Sequence, residues 1–289
     1  ERAGERGGCG GGYLGLGFAS FYRMFGSEVT VLQNTPDFIP REDRDIAQAV
    51  YEEMVRQGIQ FVFNADICRI HDEGRQTAVD YILDGQEYAA RADAVLVATG
   101  RKPNTAGLNL EAAGVELLPR GGVKTDAQRR TSQQHIWAMG DVVGGLQFTY
   151  VSLDDFRIVR SSLEGGSYRD TGRNIPYSVF IQPSLSRVGL TAAEARDKGY
   201  EAAEASLPAA GIPKAHVLKK PQGLLKAVVD SRTKKILGAT LYCADSHEMI
   251  NIGKLAMDAG LPYTALRDQI FTHPTMSEAL NDLFGRIKL

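Results

Sequence analysis

From Gly10 onward the apolar positions follow two alternating periods. A glycine turn leads into a helical period from about Gly15 to Phe25. Val29-Thr30-Val31-Leu32 is a β-branched run that predicts a strand. Between Asp43 and Gln57 the residues Ile46, Val50 and Met54 fall on one helical face, and Gly58 marks the stop. Phe61–Phe63 predicts the next strand. Two or three short strands follow, with a turn at Asp84-Gly85. Ala94–Val97 is an apolar strand fit for burial on both faces. This order predicts a βαβαβ nucleotide-binding unit carrying a small antiparallel insert.

A second segment runs from about Pro103 to Asn174. In it Ile136–Val142 predicts a buried strand ending in Gly140-Asp141, and a helix is expected near Leu153–Leu163. The pattern changes after Pro176. Tyr177–Ile181, Leu224–Val229 and Ile236–Leu241 predict strands of an antiparallel sheet, the last two joined by the polar turn Asp230–Lys235. Thr191-Ala-Ala-Glu194 is a capping box opening a helix that ends at Gly199, and a longer helix is expected from about Ser246 to Gly260.

The chain has 289 residues, enough for more than one core. Its net charge of -2 gives no reason to expect nucleic acid or an anionic membrane as partner. No apolar run approaches the roughly 20 residues of a membrane span, and no signal-peptide pattern opens the chain. Cys9, Cys68 and Cys243 are widely spaced, which argues against a disulfide scaffold or a zinc site and fits a reducing, cytoplasmic compartment. They are expected to be packed or incidental thiols rather than nucleophiles.

Three constellations carry chemistry. Gly10-Gly11-Gly12-Tyr13-Leu14-Gly15 matches GxGxxG. Gly10, Gly12 and Gly15 would allow a tight turn, close approach of a pyrophosphate and close helix packing, with the helix N-terminus facing the phosphates. The stretch before it, Glu1 to Cys9, is charged and glycine-rich and is not expected to form a buried parallel strand. The alternative to a nucleotide site there is an unstructured glycine-rich start. At the end of the second strand, Gln33 and Asn34 stand where an acidic residue or an Arg would choose between the two nicotinamide dinucleotides. Arg41, further along, is expected to be a solvated residue before the helix.

The second constellation is the small-Gly-Asp turn at Gly140-Asp141, preceded by another strand ending in Ala98-Thr99-Gly100. Glycine lets a ligand approach the backbone, and Asp141 offers acceptors to its hydroxyls. The third is His273-Pro274-Thr275 with Glu278. A carboxylate can orient such a His for proton transfer, while Thr275 and Glu278 also have capping-box spacing. Asp245 and Glu248 share that spacing before the long helix, and no metal site is expected there or elsewhere.

Taken together, Gly10–Gly15, Ala98–Asn104, Ala138–Asp141, Ser186–Thr191 and His273–Thr275 with Glu278 resemble the pyridine nucleotide–disulfide oxidoreductase family, which includes glutathione reductase, lipoamide dehydrogenase and mercuric reductase. Leu146–Asp155, Asp245–Asn251 and Asp268–Pro274 are most similar to its reactive-chlorine-resistance branch, which is related to mercuric reductase and linked to copper(II) reduction. The fold this implies is α/β. Residues 1–103 would be a Rossmann-like NAD(P)-binding domain with a degenerate first strand, and 104–174 the remainder of the FAD-binding fold. Residues 175–289 would be an α+β dimerisation domain with an antiparallel sheet.

The resemblance implies FAD and NAD(P)H as cofactors and a homodimer as the assembly. Gly100, Gly140 and Asp141 would contact the flavin, with Asp141 on the ribityl chain. Gly10, Gly12, Gly15 and Gln33 would contact the nicotinamide dinucleotide. His273, oriented by Glu278, would reach the partner subunit's active site. Electrons would pass through FAD and a Cys pair, absent here, to a disulfide or to a metal ion such as copper(II).

Departures shape the expectation. The family's first flavin fold, with its own GxGxxG and the Cys pair, would lie before Glu1, so the chain is expected to be a C-terminal portion, inactive by itself. The family has Glu at the position of Gly17, which puts hydride transfer in question. The C-terminal Cys pair of mercuric reductases is not found in Leu283–Leu289, which counts against mercury. The alternatives are an inactive dimerising or interaction module and a lipoamide- or glutathione-type reductase.

Overall fold

The computed structural model describes residues 6–289; the side chains of Arg6–Cys9, and with them the Cys9 thiol, lie outside the described residues, as do positions 1–5. The chain opens on β1 (Arg6–Cys9), α1 (Tyr13–Met24), β2 (Val29–Leu32), α2 (Arg44–Arg56) and β3 (Ile59–Val62). An antiparallel insert, β4 (Asp66–Asp72), β5 (Thr77–Leu83) and β6 (Gln86–Ala92), precedes β7 (Ala94–Val97). Parallel pairing gives the order β3-β2-β1-β7, the expected nucleotide-binding arrangement. The β5–β6 hairpin turns at Asp84-Gly85 with φ of 51° and 77°. Two positive φ values make a turn whose twist matches the strands it joins.

Two expectations for this region are overturned. Arg6–Cys9 does form a parallel strand, and it sits at the centre, in register with Val29–Leu32 on one side and Ala94–Val97 on the other. The ladder is made by backbone N–H and C=O groups, which glycine supplies as well as valine does. A cavity of about 100 Å³ lies beside α1, bordered by Phe18, Tyr22, Val31 and Val95. The second correction is β7, which is not buried on both faces: it is the sheet edge, and Val97 is 60% exposed.

After a long connection come α3 (Thr149–Leu163), β8 (Tyr177–Val179), β9 (Leu185–Gly189), α4 (Ala192–Asp197), β10 (Ala202–Pro208), α5 (Pro213–Val217), β11 (Leu224–Asp230), β12 (Ile236–Tyr242), α6 (Ser246–Asp258), α7 (Thr264–Arg267) and α8 (Ala279–Gly285). β8–β12 form an antiparallel sheet in the order β10-β11-β12-β9-β8. Thr191 and Glu194 make the expected reciprocal cap of α4. The one expected at Asp245 does not form. Asp245 has φ +56°, and its backbone carbonyl, not its carboxylate, receives the N–H groups of Glu248 and Met249.

The chain divides into two compact units. One takes the residues up to Thr99 together with Pro176–Leu289; the other is Gly100–Ile175. The first unit has two main cores. One packs β10–β12 against α6 and α8 through Leu225, Val229, Leu241, Met249, Leu280 and Phe284. The other joins Leu16, Val31, Ile46, Val50 and Met54 to Val179, Leu185 and Tyr242. The predicted face of α2 is thus fully buried, and each such side chain contributes about 1.5–3 kcal/mol.

The second unit departs most from expectation. Among the described residues Ile136–Val142 is not a strand. Trp137 makes an isolated bridge to Arg130, Gly140–Val143 is a 3-10 turn, and none of Gly140–Val143 is buried. A strand exists only through partners, and a single bridge gives no ladder.

Candidate functional site

The glycine loop belongs to the first unit. The Gly10 N–H donates to Leu32 O at 2.9 Å, and its φ of +109° bends the chain into α1. A Cβ on Gly10 would lie 2.5 Å from Ala98 O, and one on Gly15 would lie 2.0 Å from Gly10 O. Both positions therefore exclude any side chain. Gly12 differs: it is the N-cap of α1, supplies no side-chain cap, and a Cβ there meets nothing within 4 Å. The helix N-terminus is left without a side-chain acceptor, which suits an anion.

Gln33 is 6% exposed and packs under this loop. Its Nε2 donates to Thr35 Oγ1 at 2.8 Å and to Asp37 O at 2.7 Å. Oε1 has no hydrogen-bond partner and occupies the space a Gly11 Cβ would need. Arg41, exposed as expected, lends its carbonyl to Arg187 Nη1 at 2.6 Å.

The Gly140-Asp141 turn belongs to the second unit. Gly140 has φ +72°, and a Cβ on it would lie 2.6 Å from Ser152 Oγ of α3. The Asp141 carboxylate is half exposed, 3.5 Å from Arg101 Nη1. Gly100 has φ +113°, with open space where a Cβ would point. Among the described residues no group of three or more His, Cys, Asp or Glu could hold a metal ion.

His273 and Glu278 do meet: Nδ1 lies 2.8 Å from Glu278 Oε2. The other oxygen, Oε1, accepts the Thr275 N–H at 3.0 Å, and Thr275 Oγ1 accepts the Glu278 N–H. Orienting a histidine and capping a turn are thus performed by the same carboxylate at once. The bond to His273 holds the Glu278 carboxyl below its ordinary range against the opposing effect of burial, with the Thr275 backbone bond adding to it. The His273 side chain is 68% exposed, with Nε2 left for exchange. Of the cysteines whose side chains are described, Cys68 is exposed, and burial pushes the Cys243 thiol up to about 12, which leaves it unreactive.

Two buried polar clusters escaped sequence reasoning. In the first unit Tyr13 and Tyr177 both donate to Glu42 Oε1, while Arg187 faces Glu42 Oε2 at 3.8 Å and pairs with Glu194. In the second, Asp155 and Asp170 are bridged by Arg129 and Arg173. One signal was available: Val151, Asp155, Ile158 and Ser162 share the buried face of α3, and a carboxylate on such a face demands partners.

A family model for pyridine nucleotide-disulphide oxidoreductases matches residues 9–155, and the model for that family's dimerisation domain matches 175–284. The chain belongs to the pyridine nucleotide-disulphide oxidoreductases. The chain is 51% identical over 291 residues to RclA of Escherichia coli, a probable pyridine nucleotide-disulfide oxidoreductase, covering 100% of the chain and 65% of RclA. It is 35% identical over 272 residues to a mercuric reductase of Staphylococcus aureus, covering 94% of the chain and 50% of that protein. The solved Cu(II) complex of the HOCl-induced flavoprotein disulfide reductase RclA from Escherichia coli matches with a TM-score of 0.91 at 51% identity, over 98% of this chain and 65% of that one. The chain thus spans between half and two thirds of these relatives.

The oxidoreductase family uses FAD and NAD(P)H. The residues present fit parts of both: a glycine loop in which backbone fills the Cβ positions of Gly10 and Gly15 and leaves that of Gly12 open, and a Gly-Asp turn with a half-exposed carboxylate. Among the described residues no helix is long and apolar enough to cross a membrane.

Proposed function

We propose that this chain serves an FAD-dependent oxidoreductase that takes reducing equivalents from NAD(P)H and delivers them to a disulfide or to a metal ion such as copper(II). The observation that carries the reading is the glycine loop, where Gly10 and Gly15 leave no room for a side chain and Gly12 leaves the start of α1 uncapped. The flavin, when bound, supplies the chemistry of accepting a hydride and releasing electrons. The protein's own residues position and protonate. Gly10, Gly12 and Gly15 would admit the pyrophosphate, with Gln33 supporting the loop from below. Gly100, Gly140 and Asp141 would meet the flavin, Asp141 by accepting from ribityl hydroxyls. Glu278 fixes the His273 ring through Nδ1 and leaves Nε2 to exchange a proton with an acceptor, in the partner subunit of a homodimer.

The test is an anaerobic titration of the FAD-supplemented protein with NADH and, separately, NADPH, following the visible absorption of the flavin. Bleaching by either supports the reading, and the stronger reductant settles the preference. A protein that dimerises but neither retains FAD nor bleaches, whether alone or with the family's first flavin fold added in trans, is a dimerising module instead.

Gly17 offers a sharper check. A Cβ there meets no atom within 4 Å, so the position has room for a side chain to start and Gly17→Glu can be tried. Replacing a mid-helix glycine should raise stability by about 0.5–1 kcal/mol. If a carboxylate on this turn assists transfer from the nicotinamide, the variant should also bleach faster. A melting temperature below that of the parent protein would show that the position is not open.

A further inference from the structure

The Gly140-Asp141 turn is built on a residue that tolerates almost any backbone conformation. Glycine at φ +72° is not held there by its own sterics. Something else must fix the direction in which Asp141 points. The Gly140 N–H donates to Asp155 Oδ2 at 3.0 Å. Asp155 is 2% exposed, and its other oxygen, Oδ1, receives Arg129 Nε and Arg173 Nη2, each at 2.9 Å. Both arginines continue to Asp170, at 2.6 and 3.1 Å, and Arg173 reaches Asp154 at 2.5 Å. Arg129 also joins the turn through its backbone, its carbonyl accepting the Ala138 N–H at 3.0 Å.

We propose that Asp155 is a positioning residue of the flavin site, which sets the Gly140-Asp141 turn by holding the Gly140 N–H; the proposal rests on the flavin reading above. The chemistry selects a carboxylate. Three N–H donors converge on one side chain, and only an ionised carboxylate presents two oxygens and no hydrogen to them. The arginines immobilise Oδ1 and so aim Oδ2. Asp170 bonds both arginines and Asp154 bonds Arg173, neither with a hydrogen bond to the turn, so their role separates from that of Asp155. An asparagine at 155 has one oxygen, which the two cations draw, and its amide N–H groups would then confront the Gly140 N–H.

The experiment is amide hydrogen exchange of the full ¹⁵N-labelled chain, read at Gly140 and at Ile158 of α3, with a parallel FAD titration. In the unaltered protein Gly140 should be protected. Asp155→Asn should speed its exchange roughly tenfold, the loss expected for one charge-assisted bond, relative to Ile158. Asp170→Asn, which weakens the same ion network, should leave that ratio within about twofold. Asp155→Asn should also weaken FAD binding by about tenfold. An unprotected Gly140 in the unaltered protein, or the same change in both variants, overturns the assignment, whether or not Asp155→Asn folds well. An unaltered chain that protects Gly140 yet never binds FAD overturns the flavin reading instead and leaves the Asp155–Gly140 contact standing.

Discussion

Gly15→Ala is expected to remove nicotinamide binding and to lower stability together. Its Cβ would lie 2.0 Å from the Gly10 carbonyl oxygen and 3.5 Å from the Ala98 Cβ. The first neighbour is backbone and cannot swing aside, so the loop must shift. Overpacking of this kind costs about 3 kcal/mol at the upper end of its range. The same shift misplaces the uncapped start of α1, and a comparable loss in binding is roughly 100-fold in affinity. Gly12→Ala separates the two effects. A Cβ there meets nothing, at an ordinary φ of -74°, so stability should fall only by about 1 kcal/mol, the cost of alanine as a helix N-cap. Affinity should still fall, because the added methyl stands where the pyrophosphate would approach. Thermal melts with NAD(P)H fluorescence titrations of both variants decide the matter. A Gly15→Ala protein with parental melting temperature and affinity would sink the account of the loop.

Arg187→Met should destabilise the first unit by about 3–5 kcal/mol, the usual consequence of stripping one partner from a buried ion pair. The Glu42 side chain is 0% exposed. Its Oε1 takes the Tyr13 and Tyr177 hydroxyls, but Oε2 has no hydrogen bond and relies on the guanidinium 3.8 Å away. Burial and the Glu42 charge drive the Tyr13 hydroxyl far above the ordinary phenol range, so it stays a donor and cannot replace the cation. Removing the charge on both sides, as Arg187→Met with Glu42→Gln, should recover more than half of the loss. Urea midpoints at unchanged slope measure this. A loss below about 1 kcal/mol would mean that the pair is dispensable. Because Tyr13 opens α1 directly after Gly12, the single variant should also loosen the glycine loop.

These variants show which contacts local pattern could reach. The α2 face of Ile46, Val50 and Met54, the Asp84-Gly85 turn and the Thr191–Glu194 cap were legible because each depends on residues within a few positions of one another. The His273–Glu278 contact was legible for the same reason, five residues apart across a turn. The glycine loop was legible as spacing. The backbone atoms that exclude a Cβ at Gly10 were not, since Ala98 is distant along the chain.

What tertiary structure alone decided was the company each segment keeps. Arg6–Cys9 has no apolar pattern to mark it as a strand, yet two neighbouring strands supply the hydrogen bonds that make it one. Ile136–Val142 has the pattern of a buried strand and lacks the ladder. Tyr13 and Tyr177 are 164 positions apart, and Arg187 and Arg41 are 146. Asp155 sits at an apolar-face position that announces a partner without naming it. Periodicity follows from the geometry of one helix or one strand, so sequence by itself determined the elements that carry an apolar period, such as α2, β2 and β12, and the family motifs. Strand pairing and buried-charge matching are satisfied between segments, so only the folded chain decided them.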